Sequence, residues 1–245
     1  MANREDFLGR IRKALGRAPD EAPECRQPER LFSPLGPVLP PIPPEAVVGK
    51  FEEELQKVAG CAYRAATTED LDAILRKITT ERATKLAVLT RHPLLSQLRL
   101  ADRLWSWGIS TATWPQEGFG QGHSEPARDF RERLFAAEVG ITGVEFVLAE
   151  SGSLVLTSQT EGSQLASLAP PVHIALYRRS QALATLEEVL AHLPIPCEPD
   201  SPWPGRSVVF VTGPSRTADI EQILIRGVHG PKEVHAILVE EACLS

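Results

Sequence analysis

Four stretches of the chain carry residue types suited to chemistry. The first is Ser207-Val208-Val209-Phe210-Val211-Thr212, followed by Gly213-Pro214-Ser215-Arg216-Thr217. It reads as a buried strand over 207–212 that runs into a Gly-Pro turn and a helix over 217–226. Ligands of open α/β sheets sit at the carboxyl ends of strands, and a helix N-terminus offers unpaired N–H groups to an anion. Arg216 adds a planar fork suited to a carboxylate or phosphate. Ser215, Arg216 and Thr217 are therefore candidate anion-binding residues. An ordinary capped turn, with Ser215 or Thr217 as the cap and Asp219 against the helix dipole, accounts for the hydroxyls but leaves Arg216 without a role. The spacing and the lysine of a Walker loop are absent.

The second stretch is Glu150-Ser151-Gly152, on a turn between two strands. Glu150 is a candidate nucleophile or general base, with Ser151 beside it; a solvated turn carboxylate is the competing reading. The third comprises Thr157, Thr160, Glu161 and Gly162, followed by Pro170-Pro171-Val172-His173. Thr157 and His173 are candidate ligand-binding residues, and the alternative for His173 is a place in the core. The fourth is Gly227-Val228-His229-Gly230-Pro231-Lys232. A helix over 217–226 returns the chain by about 15 Å. That puts His229 towards the opposite edge of the sheet from Arg216, so the two meet only if the loop folds back or a second subunit supplies His229. The loop Gly118–Gly122 before His123 is glycine-rich but lacks dinucleotide-binding spacing. The histidines show no metal-ligand spacing, and no metal is expected.

The elements that position these residues alternate from residue 45 onward. Helices are expected over 45–59, 69–80, 125–138, 180–193 and 217–226. Strands are expected over 61–66, 86–90, 109–114, 172–177, 207–212 and 234–240. Such alternation argues for an α/β domain with a largely parallel sheet covered on both faces. The close pair 144–149 and 153–158 leaves no room for a crossover and reads as a hairpin, so the sheet is mixed or carries an inserted hairpin. Ahead of this domain, residues 4–16 form an amphipathic helix with Phe7, Leu8, Ile11 and Leu15 on one face. Residues 18–44 hold a proline-rich arm too apolar for a solvated linker. The expected division is 1–44 for helix and arm and 45–245 for a single α/β domain.

Composition narrows the class. The chain has 245 residues, 42% of them hydrophobic, enough for a substantial core and too many for a wholly disordered chain. No run approaches the ~20 apolar residues of a membrane-spanning helix. Twenty-six basic residues against 32 acidic ones give a net charge of −6, which does not favour nucleic acid as a partner. Cys25, Cys61, Cys197 and Cys243 are scattered, so no iron–sulfur cluster or other cofactor is expected to be held by this chain alone. The simplest compartment is the cytoplasm.

At these same segments the chain resembles the LUD-domain family. The resemblance is carried by Gly140–Gly143, Ala149–Leu156, Pro170–Ile174, Gly213–Glu221 and Gly227–Pro231, together with the opening helix Phe7–Arg17. It implies a three-layer α/β/α fold similar to the NagB/RpiA/CoA-transferase group. It also implies a role in oxidation of L-lactate to pyruvate, alongside partner proteins with cysteine-rich or iron–sulfur motifs. The family often has Thr where Ser151 and Ser153 stand, and Asn-Arg where Ser163-Gln164 stand, so a cation is missing at the latter place. The resulting expectation is a cytoplasmic component of an L-lactate utilization system that binds an organic acid, or a partner's cofactor, near Arg216 and Glu150. Two alternatives stay open. One is a CoA-transferase- or sugar-phosphate-isomerase-like enzyme, since in CoA transferases a glutamate on a Glu-x-Gly turn forms a thioester with CoA and Glu150-Ser151-Gly152 is similar. The other is a non-catalytic ligand-binding protein.

Overall fold

Apolar spacing and local capping set the helices. In α2 (Val47–Lys57), Val47, Val48, Phe51 and Leu55 form one buried stripe, while Lys50 and Lys57 pair with Glu53 and Glu54 away from it. In α3 (Thr68–Glu81), Thr67 and Asp70 close a reciprocal capping box ahead of the buried Leu71, Leu75 and Ile78. The computed structural model describes residues 4–14, 16, 41–114, 125–193, 207–218, 224–227 and 229–244. The opening helix α1 spans Arg4–Ala14. Most of the proline-rich arm, the loop before His123, and Cys25 and Cys197 lie outside the described residues.

The remaining helices are α4 (Pro93–Gln97), α5 (Leu100–Ser106), α6 (Glu125–Ala136), α7 (Ser158–Glu161) and α8 (Leu186–His192). The strands are β1 (Cys61–Ala65), β2 (Leu86–Leu89), β3 (Ser110–Thr113), β4 (Val139–Thr142), β5 (Phe146–Leu148), β6 (Ser153–Thr157), β7 (Val172–Tyr177), β8 (Ala182–Leu183), β9 (Val208–Val211), β10 (Arg216–Ala218), β11 (Leu224–Arg226) and β12 (Glu233–Val239). Six of them form a fully parallel sheet in the order β1-β12-β7-β4-β2-β3. β7 is buried at all six positions, as a central parallel strand must be.

One face of this sheet packs on α3, α4 and α5 through Leu71, Leu75, Leu94, Leu100 and Leu104. The other face meets α2, and α6 through Phe130 and Leu134. The hairpin β5–β6 leaves the parallel sheet and joins β8 and β9 in a second sheet, ordered β8-β5-β6-β9. Val147, Leu154, Leu156 and Val211 of this sheet share a core with α2 and the parallel sheet, while α8 covers its far side through Val189.

Three expectations change and one strand is added. The segment 217–226 is not a helix: Arg216–Ala218 and Leu224–Arg226 pair antiparallel as β10 and β11, with 219–223 outside the described residues. The strand that precedes it, β9, pairs with β6 rather than joining the parallel sheet. The helix expected over 180–193 is shorter, because residues 182–183 add an edge strand before α8 starts. β4 was not expected: Gly140 interrupts its apolar run because the Ala166 carbonyl passes where a Cβ would stand.

Candidate functional site

The chain path through the parallel sheet picks out one place. From β2 it moves outward to β3, then returns to β4 on the other side of β2 and continues outward through β7 to β12. The strand order therefore reverses between β2 and β4, and the carboxyl ends of such a pair form a crevice where α/β sheets bind ligands.

Polar residues are concentrated there. Thr90 follows β2, His92 begins the next turn, and Thr142 and Gly143 end β4. The single turn α7 lies across them: the Arg91 N–H donates to the Glu161 carbonyl at 3.2 Å, and the Arg91 guanidinium to the Gln159 carbonyl at 2.8 Å. This carries Glu161 inward until it is fully buried. The Thr90 hydroxyl hydrogen-bonds Oε2 of Glu161, while Oε1 has no hydrogen-bond partner. His92 Nδ1 accepts the Leu94 N–H at 3.2 Å, so the neutral ring carries its proton on Nε2, 3.9 Å from Oε1. Gly143 keeps the ring in place, since a Cβ at that position would fall on it. Gly162, at φ +75°, turns the chain away under the indole of Trp114.

Burial dominates the electrostatics. It pushes the Glu161 carboxyl up to about 8, helped by the nearby Glu145 charge and opposed by Thr90 and the Gly143 N–H. Burial holds His92 down to about 4, with Arg178 contributing and the Val144 backbone opposing. At neutral pH the pair is thus largely an uncharged acid beside an uncharged imidazole. A cavity of about 180 Å³ opens on the other side of Thr90, towards β3, α4 and α5, lined by Thr90, Leu95, Ser96, Arg99, Asp102 and Thr113. Arg99 and Asp102 both stand in its wall and pair with each other at 2.8 Å.

The residues singled out in the sequence fall in two places. Thr157 and His173 belong with the buried polar groups behind the crevice. Thr157 caps α7 and with Thr160 donates to Glu145 at 3.2 and 3.1 Å. His173 is fully buried and bonds Thr142 Oγ1 through Nε2 at 2.9 Å, with Nδ1 unpartnered; burial lowers its pKa to about 3. Glu150, Ser151, Ser215, Arg216 and Thr217 lie along or beyond one end of the second sheet. Ser151, Ser153 and Thr212 form a chain of hydroxyls at 2.8 and 2.6 Å. Glu150 Oε1 accepts the Leu186 N–H at 2.9 Å at the start of α8, and Gly152 presses on the backbone of Leu55. Arg216 donates to the Val58 carbonyl at 2.6 Å, just past α2.

The helix N-terminus that was to offer Ser215 and Thr217 to an anion does not exist, because Thr217 is paired with Ile225 in the β10–β11 hairpin. The expected separation of His229 from Arg216 is also corrected. The hairpin folds back, so the Ser215 N–H donates to the Pro231 carbonyl and the Gly227 N–H to the Ser215 carbonyl, at 2.9 and 3.0 Å. His229 lies in the loop so tethered and is exposed. Sequence reasoning passed over Thr90 and His92. Their signal was a polar Thr-Arg-His-Pro run directly after the buried strand Leu86–Leu89.

Comparison with known proteins supplies the lineage. Lactate utilization protein C of Exiguobacterium sp. is 31% identical over 251 residues, covering 98% of this chain and 97% of the relative. The protein of that name from Geobacillus thermodenitrificans is 28% identical and the one from Bacillus subtilis 27%, each covering 98% of both chains. A DUF162 family protein of known crystal structure from Deinococcus radiodurans has a similar fold, with a TM-score of 0.52 at 19% identity over 81% of this chain and 99% of that one. The LUD domain matches residues 48–239, from α2 to the last residue of β12. By that match, which takes in both sheets and the switch-point crevice, the chain belongs to the LUD domain family.

Proposed function

We propose that this chain is a cytoplasmic component of an L-lactate utilization system, and that its ligand site is the crevice between β2 and β4. The observation that carries the reading is similarity from end to end to proteins named for lactate utilization. In this role the chain holds a small organic acid and has no redox centre of its own. Conversion of lactate to pyruvate releases two electrons and two protons; partner proteins with iron–sulfur clusters accept the electrons. Among the described residues Cys61 and Cys243 are free thiols, which fits a reducing compartment. No described helix is long and apolar enough to cross a membrane.

The test is reconstitution. The chain is purified together with the products of its neighbouring genes, and lactate-dependent dye reduction is measured with the chain present and omitted. Loss of activity on omission, restored on adding the chain back, supports the role. Full activity without it refutes the role.

A further inference from the structure

We infer that Cys61 is a site of thiol–disulfide exchange with small disulfides, its thiol served by a proton relay through Tyr63 and His235 at the amino-terminal end of the parallel sheet. The inference is independent of the proposed ligand crevice, which lies at the carboxyl ends of other strands.

Strand register builds the site. β1 is an edge strand, and Cys61 at its start stands opposite His235 of β12. Residues two apart on a strand share a face. Cys61 and Tyr63 therefore lie on the same side as Glu233 and His235, the side whose core holds Ala65, Ile237 and Val239. Helix α3 runs back along that face and ends at Glu81, which brings Arg82 to the same end of the strands. Cys61 itself stays exposed.

The contacts run in one direction. Arg82 holds both carboxylate oxygens of Glu233, Oε1 at 2.6 Å and Oε2 at 2.7 Å. Glu233 Oε2 lies 3.3 Å from His235 Nε2, so that nitrogen carries the ring proton and Nδ1 offers its lone pair. Nδ1 faces the Tyr63 hydroxyl at 3.4 Å, and the two rings stack with centroids 5.8 Å apart. The Tyr63 hydroxyl in turn hydrogen-bonds the Cys61 thiol. Burial lowers the affinity of His235 for a second proton, with Glu233 opposing. Burial, followed by Cys61, pushes Tyr63 up to about 12. At neutral pH the imidazole thus has a lone pair to accept with and the phenol has a proton to pass on. Among the described residues the charged groups acting on these two rings are Glu81 and Arg82 from the end of α3 and Glu233 from β12.

The exchange balances without a further reactant. As the Cys61 thiol is deprotonated, its proton passes to the Tyr63 oxygen and the Tyr63 proton passes to His235 Nδ1. The imidazolium so formed pairs with Glu233. The Cys61 sulfur attacks one sulfur of the incoming disulfide, the old S–S bond breaks, and a mixed disulfide forms. The departing thiolate takes a proton from Tyr63, which recovers one from His235. Cys61 is oxidised and the departing thiol is reduced. The relay matters because an unassisted thiol is only a few per cent ionised at pH 7.

The experiment is exchange of the folded full chain with glutathione disulfide between pH 6.5 and 8, followed at Cys61 by peptide mass spectrometry so that each cysteine is read separately. An unassisted thiol loses about tenfold in rate per pH unit over that range. The wild type is expected to lose less than about threefold per unit. Tyr63→Phe keeps the stacked ring and removes the hydroxyl; it should react about tenfold more slowly at pH 7 and take the unassisted slope. His235→Gln should take the same slope, with both variants shown to be folded by circular dichroism. An unassisted slope in the wild type overturns the inference whatever the variants do. Wild-type rate and slope in either folded variant also overturn it, and leave Cys61 an ordinary exposed thiol.

Discussion

Glu161 makes the stability of the fold depend on pH in a way that one substitution removes. The unfolded chain ionises this carboxyl near its ordinary value of 4.5, whereas the native protein holds it neutral up to about 8. Below pH 4.5 both states are protonated and the group contributes no pH dependence. Between 4.5 and about 8 the unfolded state has lost a proton that the native state keeps. Stability then falls with rising pH at about 1.4 kcal/mol per pH unit, and above that range the loss levels off. Over the whole window the loss amounts to roughly 5 kcal/mol. Glu161→Gln presents a neutral side chain of the same shape in both states, so the loss disappears. The assay is urea unfolding of wild type and variant at half-unit steps from pH 4 to 9, analysed as the difference between the two curves so that all other titrations cancel. The difference should change steadily in favour of the variant from pH 4.5 and flatten near pH 8. Parallel curves would show that Glu161 ionises at its ordinary value, and the account of a buried neutral acid would fail.

Other consequences are local. Gly143→Ala drives a methyl into the His92 ring and is expected to cost about 1–3 kcal/mol of stability and to weaken pyruvate binding, both read on one protein preparation by unfolding and calorimetry. Arg216→Ala removes the bond to the Val58 carbonyl; it should lower stability by about 0.5–1.5 kcal/mol in chemical denaturation and leave carboxylate affinity unchanged. Glu150→Gln retains an acceptor for the Leu186 N–H and should alter stability by less than about 0.5 kcal/mol. Incubation with an acyl-CoA should give no adduct on Glu150 by mass spectrometry, and finding one would favour the transferase alternative.

The parallel core was legible in the sequence because its strands are buried on both faces. Leu86–Leu89 and Val172–Tyr177 stand as short apolar runs between turn residues. The hairpin 144–158 was legible from connection length alone. The segment 217–226 misled because Ile220, Ile223 and Leu224 have helical spacing, and periodicity does not separate a short helix from a strand pair. Backbone bonds from Ser215 to Gly227 and Pro231 accompany the hairpin there, and they join residues that no local pattern relates. The site was half legible for a similar reason. Glu161 and His173 stood out by type, but the burial that changes their chemistry comes from α7 lying over strand ends. Glu161 meets Thr90 across 71 positions of sequence. Glu150 and Arg216 drew attention as a carboxylate and a cation on turns, and their hydrogen bonds go to the start of one helix and the end of another.

The placement of the functional site between β2 and β4 is tested most directly by lactate-dependent dye reduction in the reconstituted assembly, with wild type, Thr90→Val and Arg216→Ala compared at equal folded concentration. The account predicts that Thr90→Val loses most of the activity and that Arg216→Ala retains it. Full activity with Thr90→Val, or its loss with Arg216→Ala, would move the site from the switch-point crevice to the turn beside α2 and contradict the account.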